Sequence, residues 1–124
     1  MDADYEKQRM EARSRYSRTV DDGSRVTLRL EGEVLTIQMP VRLDYLVTEA
    51  ARREAKTFVG KFRSIDIHFQ QTEYLDSSGL GLLLGLRALL PDGSGKPRIL
   101  GAKAPGVKLP IHHSKFNLLF DIQD

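Results

Sequence analysis

Asp76-Ser77-Ser78-Gly79-Leu80-Gly81 runs straight into Leu82-Leu83-Leu84-Gly85-Leu86-Arg87-Ala88-Leu89-Leu90, which sets two hydroxyls where a strand-loop ends and an apolar helix begins. Leu82 to Leu90 is nearly all aliphatic and spells a buried helix. Asp76 and Ser77 are both good N-cap residues, because a short oxygen-bearing side chain accepts from amides that the first turn leaves unpaired. Ser78 then falls in or beside that turn, where the free amides and the helix dipole favour negative charge. A phosphate on Ser78 is tolerated by such a fold while it changes what the surface presents. Taken alone, Asp-Ser-Ser before a helix is a capping sequence and carries no regulatory meaning. The glycines add to it. Gly79, Gly81 and Gly85 sit among good helix formers, each at a cost of about 1 kcal/mol relative to Ala. They predict close backbone approach, to a sheet beneath or to a partner above.

Upstream, Ile65, Ile67 and Phe69 alternate as a strand that leaves through the loop Gln70 to Leu75 into the hexapeptide. Before that strand, Asp44 caps a helix whose Leu43, Val47, Ala51, Ala55, Phe58 and Phe62 share one face. Arg52, Arg53, Glu54 and Lys56 occupy the solvated face, and Gly60 is the stop. Further back, Val26, Leu28 and Leu30, then Leu35, Ile37 and Met39, alternate with polar neighbours on either side of Glu31-Gly32. This is a β-hairpin, which Pro40 ends. Downstream, Pro91-Asp92-Gly93-Ser94-Gly95 is a break, and Arg98-Ile99-Leu100 a short strand. Pro105 to Ser114 reads as a weak helix that starts near Leu109 or is kinked, since Pro110 lies inside it. Phe116, Leu119, Phe120 and Ile122 supply a last apolar segment.

The order β-β-α-β-α-β-α predicts an α/β fold. It has a mixed sheet of four to five strands, an N-terminal hairpin, and three to four helices on one or both faces. Right-handed crossovers put the Ile65 and Ile99 strands parallel and adjacent. Residues 1–22 read as a flexible or loosely docked arm ahead of one domain over 23–124.

Composition narrows the function. The chain has 124 residues, enough for one domain with a real core, and no Cys, so thiolate metal sites and disulfides are excluded. Net charge is only +2, and Lys7, Arg9, Arg13, Arg15 and Arg18 are interleaved with Asp2, Asp4, Glu6 and Glu11, which argues against nucleic-acid binding. The charged stretch Met1 to Arg18 does not read as a secretory signal, and Leu80 to Leu90 is too short to span a bilayer. A cytoplasmic protein without membrane insertion is expected. Catalysis finds no support either. A nucleophile elbow around Ser78 needs glycine where Asp76 stands, and Gly79 to Gly85 lacks the lysine of a nucleotide cradle. His68 reads as a strand residue, and the adjacent His112 and His113 point to different faces, suiting neither a triad nor a metal site.

The hairpin, the Asp44-capped helix, Ile65-Asp66-Ile67 and Asp76-Ser77-Ser78-Gly79-Leu80-Gly81 together resemble the STAS domain of sulfate transporters and anti-sigma-factor antagonists. The likeness spans roughly residues 24 to 122, is nearest to the stand-alone bacterial antagonists, and includes Leu119-Phe120-Asp121-Ile122 as a closing segment. It implies a non-enzymatic regulator of signal transduction and transcription, with no cofactor. In that family the serine immediately before the first glycine is phosphorylated, which here is Ser78. The resemblance places Asp44, Asp76, Ser77, Gly79, Leu80 and Gly81 in the switch loop and partner contact; Tyr74, with Leu75, borders that loop and either packs under it or joins the contact. The implied partners are an anti-sigma factor or a serine kinase of the histidine-kinase-like ATPase class, with a serine phosphatase to reverse the mark. The alternative is a constitutive accessory subunit of an ABC-type transporter ATPase. Two departures stand out: Pro40-Val41-Arg42-Leu43 replaces the usual glycine ahead of the aspartate, and Pro110 interrupts the third helix.

Overall fold

In the hairpin, β1 (Thr27–Glu31) and β2 (Val34–Gln38) pair antiparallel from Thr27↔Gln38 to Glu31↔Val34. Leu28, Leu35 and Ile37 are buried, while Arg29 and Glu31 are exposed, as the period of two requires. Gly32 has φ +63 and Glu33 keeps a negative φ, so the two-residue connection has the pattern of a type II′ turn. The structure is a computed structural model that describes residues 25–123, so the expected arm over 1–22 lies outside the described residues.

β2 then pairs in parallel with β4 (Ser64–His68), β4 with β6 (Arg98–Leu100), and β6 with β7 (Asp121–Gln123). The five-stranded order is β1-β2-β4-β6-β7. β4 and β6 are parallel neighbours, as a right-handed crossover demands. In register across the sheet, Leu35 meets Ile65, and Ile37, Ile67 and Ile99 form a continuous buried row. Ala51 and Ala55 of α1 (Tyr45–Lys56) and Leu82, Leu83 and Leu86 of α2 (Ser77–Arg87) complete the same core. Each fully buried Leu or Ile contributes about 1.5–3 kcal/mol. The opposite sheet face is polar. There Asp66 accepts Arg98 Nε at 2.9 Å and Nη2 at 2.5 Å across the β4–β6 pair.

The remaining elements are α3 (Pro105–His113), a 3₁₀ turn (Phe116–Leu118), and two strands of two residues each, β3 (Arg42–Leu43) and β5 (Tyr74–Leu75), paired in parallel. β5 lies where the sequence predicts only loop. α3 begins at Pro105, not near Leu109. Pro105 is well placed at the first helical position, whose amide needs no partner. The helix runs through Pro110, leaving the Gly106 carbonyl without its intrahelical donor, because Val107 and Ile111 are buried one turn apart. α1 ends at Lys56 with Thr57 as its cap, so Gly60 (φ +90) closes the following turn instead of the helix.

Candidate functional site

β3 and β5 each run directly into an aspartate that caps a helix. Arg42↔Tyr74 and Leu43↔Leu75 are in register, and the Asp76 amide donates to the Leu43 carbonyl at 3.2 Å. Asp44 Oδ1 accepts Leu46 N–H at 3.1 Å, opening α1. Asp76 Oδ1 accepts Gly79 N–H at 3.0 Å, opening α2. Two strand–aspartate–helix units therefore stand side by side with their N-termini together. Asp76 stands between them: the nearby backbone amides of Ser78 and, from the other helix, Tyr45 favour its charged form.

Ser78 is the second residue of α2 and half-buried, and its hydroxyl donates to Asp76 Oδ1 at 2.6 Å. Burial alone would push the Asp76 carboxyl up, but the Ser78 hydroxyl and the amides of Gly79, Ser78 and Tyr45 outweigh it and hold it below the ordinary 3.8. The site thus carries a fixed negative charge beside a hydroxyl whose lone pairs face away from it. Asp76, and not a histidine, is the partner of that hydroxyl. His112 and His113 are exposed with ring centroids 6.2 Å apart, and His68 contacts Gln70 at 3.3 Å. Among the described residues, no group of three or more His, Cys, Asp or Glu could hold a metal ion.

The three glycines divide by role. A Cβ on Gly79 would lie 3.0 Å from the Leu43 carbonyl oxygen and 3.2 Å from Leu75 Cβ, so α2 begins pressed onto the β3–β5 pair. Gly85 faces the Arg52 guanidinium of α1, with 3.6 Å to Nε. Arg52 Nε is buried there without a hydrogen-bond partner, so the solvated reading of Arg52-Arg53 holds for Arg53 alone. Gly81 has nothing within 4 Å of its would-be Cβ and belongs to the outer face. Ser77, Gly81 and Leu84 form the exposed stripe of α2, continued by its C-cap Ala88, small or apolar throughout.

Of the residues expected at the switch, the structure gathers Asp44, Tyr74, Asp76, Ser77, Ser78 and Gly79 around the paired helix starts. Gly81 lies one turn along, and Leu80 packs partly into the core. Sequence reasoning missed Tyr45 and Leu46, which are 70% and 72% exposed at the start of α1, and Leu84 at 43%. The signal was available: Tyr45 and Leu46 fall off the Leu43, Val47, Ala51, Ala55 face. Arg42 was also missed; its guanidinium carbon lies 4.4 Å over the Tyr74 ring.

No protein-family model matches the chain, and no curated protein matches it. Solved structures do. The anti-sigma factor antagonist SpoIIAA in its unphosphorylated form is similar over 80% of this chain and 87% of that one, at 24% identity and TM-score 0.64. The Bacillus cell fate determinant SpoIIAA in the phosphorylated form is similar over 80% and 91%, at 24% identity and TM-score 0.63. An anti-sigma-factor antagonist (STAS) domain protein from Planctomyces limnophilus is similar over 81% and 89%, at 16% identity and TM-score 0.67. The chain has the STAS fold. The five-stranded mixed sheet and the three helices match that architecture, and at these identities the likeness speaks for the fold. Among the described residues, no helix of this STAS fold is long and apolar enough to cross a membrane.

Proposed function

We propose that this protein is a non-enzymatic partner switch of the anti-sigma-factor-antagonist kind, working in the cytoplasm and controlled by phosphorylation of Ser78. One observation carries the reading. The Ser78 hydroxyl, held by Asp76 at 2.6 Å, sits at the junction of two helix N-termini with exposed Tyr45, Leu46 and Leu84 nearby. Apolar groups so exposed around a modifiable hydroxyl suit docking on a protein partner. By resemblance the partner is an anti-sigma factor or a serine kinase of the histidine-kinase-like ATPase class. The kinase would transfer the γ-phosphoryl group of ATP to Ser78 Oγ, releasing ADP and the hydroxyl proton. A serine phosphatase would return the hydroxyl.

The charge arithmetic supports a large effect. Phosphorylation adds about −1.5 to −2 charge at neutral pH and abolishes the hydroxyl donor to Asp76. Two unit charges about 4 Å apart near a protein surface repel by about 4 kcal/mol. That repulsion is already present in the free phosphoprotein, so what opposes docking is taking the dianion and Asp76 out of water into a closed interface. This costs several kcal/mol per unpaired ion, against the roughly 5.5 kcal/mol that turns a 1:99 equilibrium into 99:1. The test compares partner binding by wild type, Ser78→Ala and Ser78→Asp. Retained binding by the first two and loss by the third is expected; equal binding by all three overturns the switch.

A further inference from the structure

Arg42 opens the strand pair that carries the switch, and its charge is loosely held. Its contact with Asp44 is long, 3.8 Å from Nε to Oδ2, and its side chain is 63% exposed. In register it faces Tyr74, and the guanidinium lies over that ring. The charge therefore leans across β5, the strand that leads into Asp76 and Ser78. Strand alternation puts Arg42, Asp44, Tyr74 and Asp76 on one face, with Leu43 and Leu75 buried on the other. Paired strands stand about 4.8 Å apart, so the Arg42 side chain reaches the neighbouring strand, as its contact with Tyr74 shows. The first turns of α1 and α2, Tyr45 to Thr48 and Ser77 to Leu80, hold no basic residue. A phosphate on Ser78 would meet two carboxylates, Asp44 and Asp76; Arg42 stands on their face of the strand pair, while Lys103 and Lys108 belong to α3 and its lead-in, which pack on β5.

Resting on the reading of Ser78 as phospho-acceptor, we propose that Arg42 is the intramolecular receptor for the phosphate. Its guanidinium leaves Asp44, stays stacked on Tyr74, and pairs with the phosphoryl oxygens. Arginine suits this role because its planar fork binds phosphate through two parallel hydrogen bonds. The modification then changes the docking surface twice: a dianion enters it, and an exposed cation is withdrawn from it.

The test places phosphoserine at position 78 by genetic encoding, which needs no kinase, and follows the phosphate's second ionisation by ³¹P NMR. That ionisation ordinarily falls near about 6. Removing a paired cation raises it, so Arg42→Gln should shift the midpoint up by about 0.5–1 unit from the Arg42 protein. Arg42→Lys, a point charge without the fork, should fall between them. Arg87→Gln removes the same charge from the far end of α2 and should leave the midpoint unchanged. Equal midpoints for Arg42 and Arg42→Gln overturn the proposal, as does an equal rise in Arg42→Gln and Arg87→Gln. Failure of the phospho-switch reading shows elsewhere, as an unmodified Ser78 in protein isolated from its native cells, and leaves the NMR result standing.

Discussion

Replacing Asp76 by Ala removes the carboxylate that caps α2 and holds the Ser78 hydroxyl. That carboxylate accepts Gly79 N–H at 3.0 Å and the Ser78 hydroxyl at 2.6 Å, while the Ser78 and Tyr45 amides favour its charge. Loss of the cap alone costs about 1 kcal/mol, within a range of roughly 0.5–2. The hydroxyl bond to a charged acceptor adds about 1.5 kcal/mol, the low end of its range because the group is half-buried and water replaces part of it. Asp76→Ala should therefore destabilise the fold by about 2–3 kcal/mol near neutral pH, read as a shifted midpoint in urea denaturation. Asp76→Asn keeps an equally good cap and should cost about 1 kcal/mol or less. The pH dependence has a definite sign. The folded carboxyl is held below 3.8, so its contribution is complete above that value and fades as pH falls through the folded one. Wild type and Asp76→Asn should therefore converge in stability in acid. An Asp76→Ala protein within about 0.5 kcal/mol of wild type near neutral pH would rule this role out. So would a gap between wild type and Asp76→Asn that does not change on acidification.

Gly106→Ala should lower the melting temperature by several degrees. The new Cβ would overlap the Glu73 carbonyl oxygen and stand 3.4 Å from Tyr74 Cα. Overpacking against backbone costs about 1–3 kcal/mol or more, against about 1 kcal/mol gained in helix propensity; an unchanged or raised melting temperature would contradict this. Tyr45→Ser and Leu46→Ser should each leave stability within about 0.5 kcal/mol of wild type, because both side chains are mostly exposed. Each should nevertheless weaken partner binding about tenfold or more by calorimetry, as loss of an interface anchor does. Unchanged affinity in both would remove this face from the docking surface.

The sheet was legible because its strands carry clean alternation: Leu35 and Ile37, then Ile65 and Ile67, reach the core in the register their spacing implies. Both helix starts were legible from Asp44 and Asp76, since a cap is a local event within three residues. The β3–β5 pair was not. Two residues are too few to show a period, and its hydrogen bonds, such as Glu73 N to Val41 O at 2.8 Å, join segments far apart in the chain. The pairing that sets Asp44 beside Asp76 was therefore hidden. The aliphatic run Leu82 to Leu90 also concealed its own orientation, because it holds no polar residue before Arg87 to mark the outer side. Leu84 shares that side with Ser77 and Gly81, while Leu82, Leu83 and Leu86 are buried. The start of α3 stayed open between Pro105 and the region of Leu109 because Pro110 lies inside the segment, and Pro105 at the first helical position is what decides it.

The central claim is that one hydroxyl governs docking, and affinity measured with and without its phosphate tests it most directly. The partner is isolated from native cells on immobilised Ser78→Ala protein. Its affinity is then measured by calorimetry for the unmodified chain and for the chain carrying encoded phosphoserine at position 78. Tight binding to the unmodified chain is expected, with a loss of about 10³–10⁴-fold on phosphorylation, the scale of roughly 4–5.5 kcal/mol. Equal affinity for the two forms would contradict it.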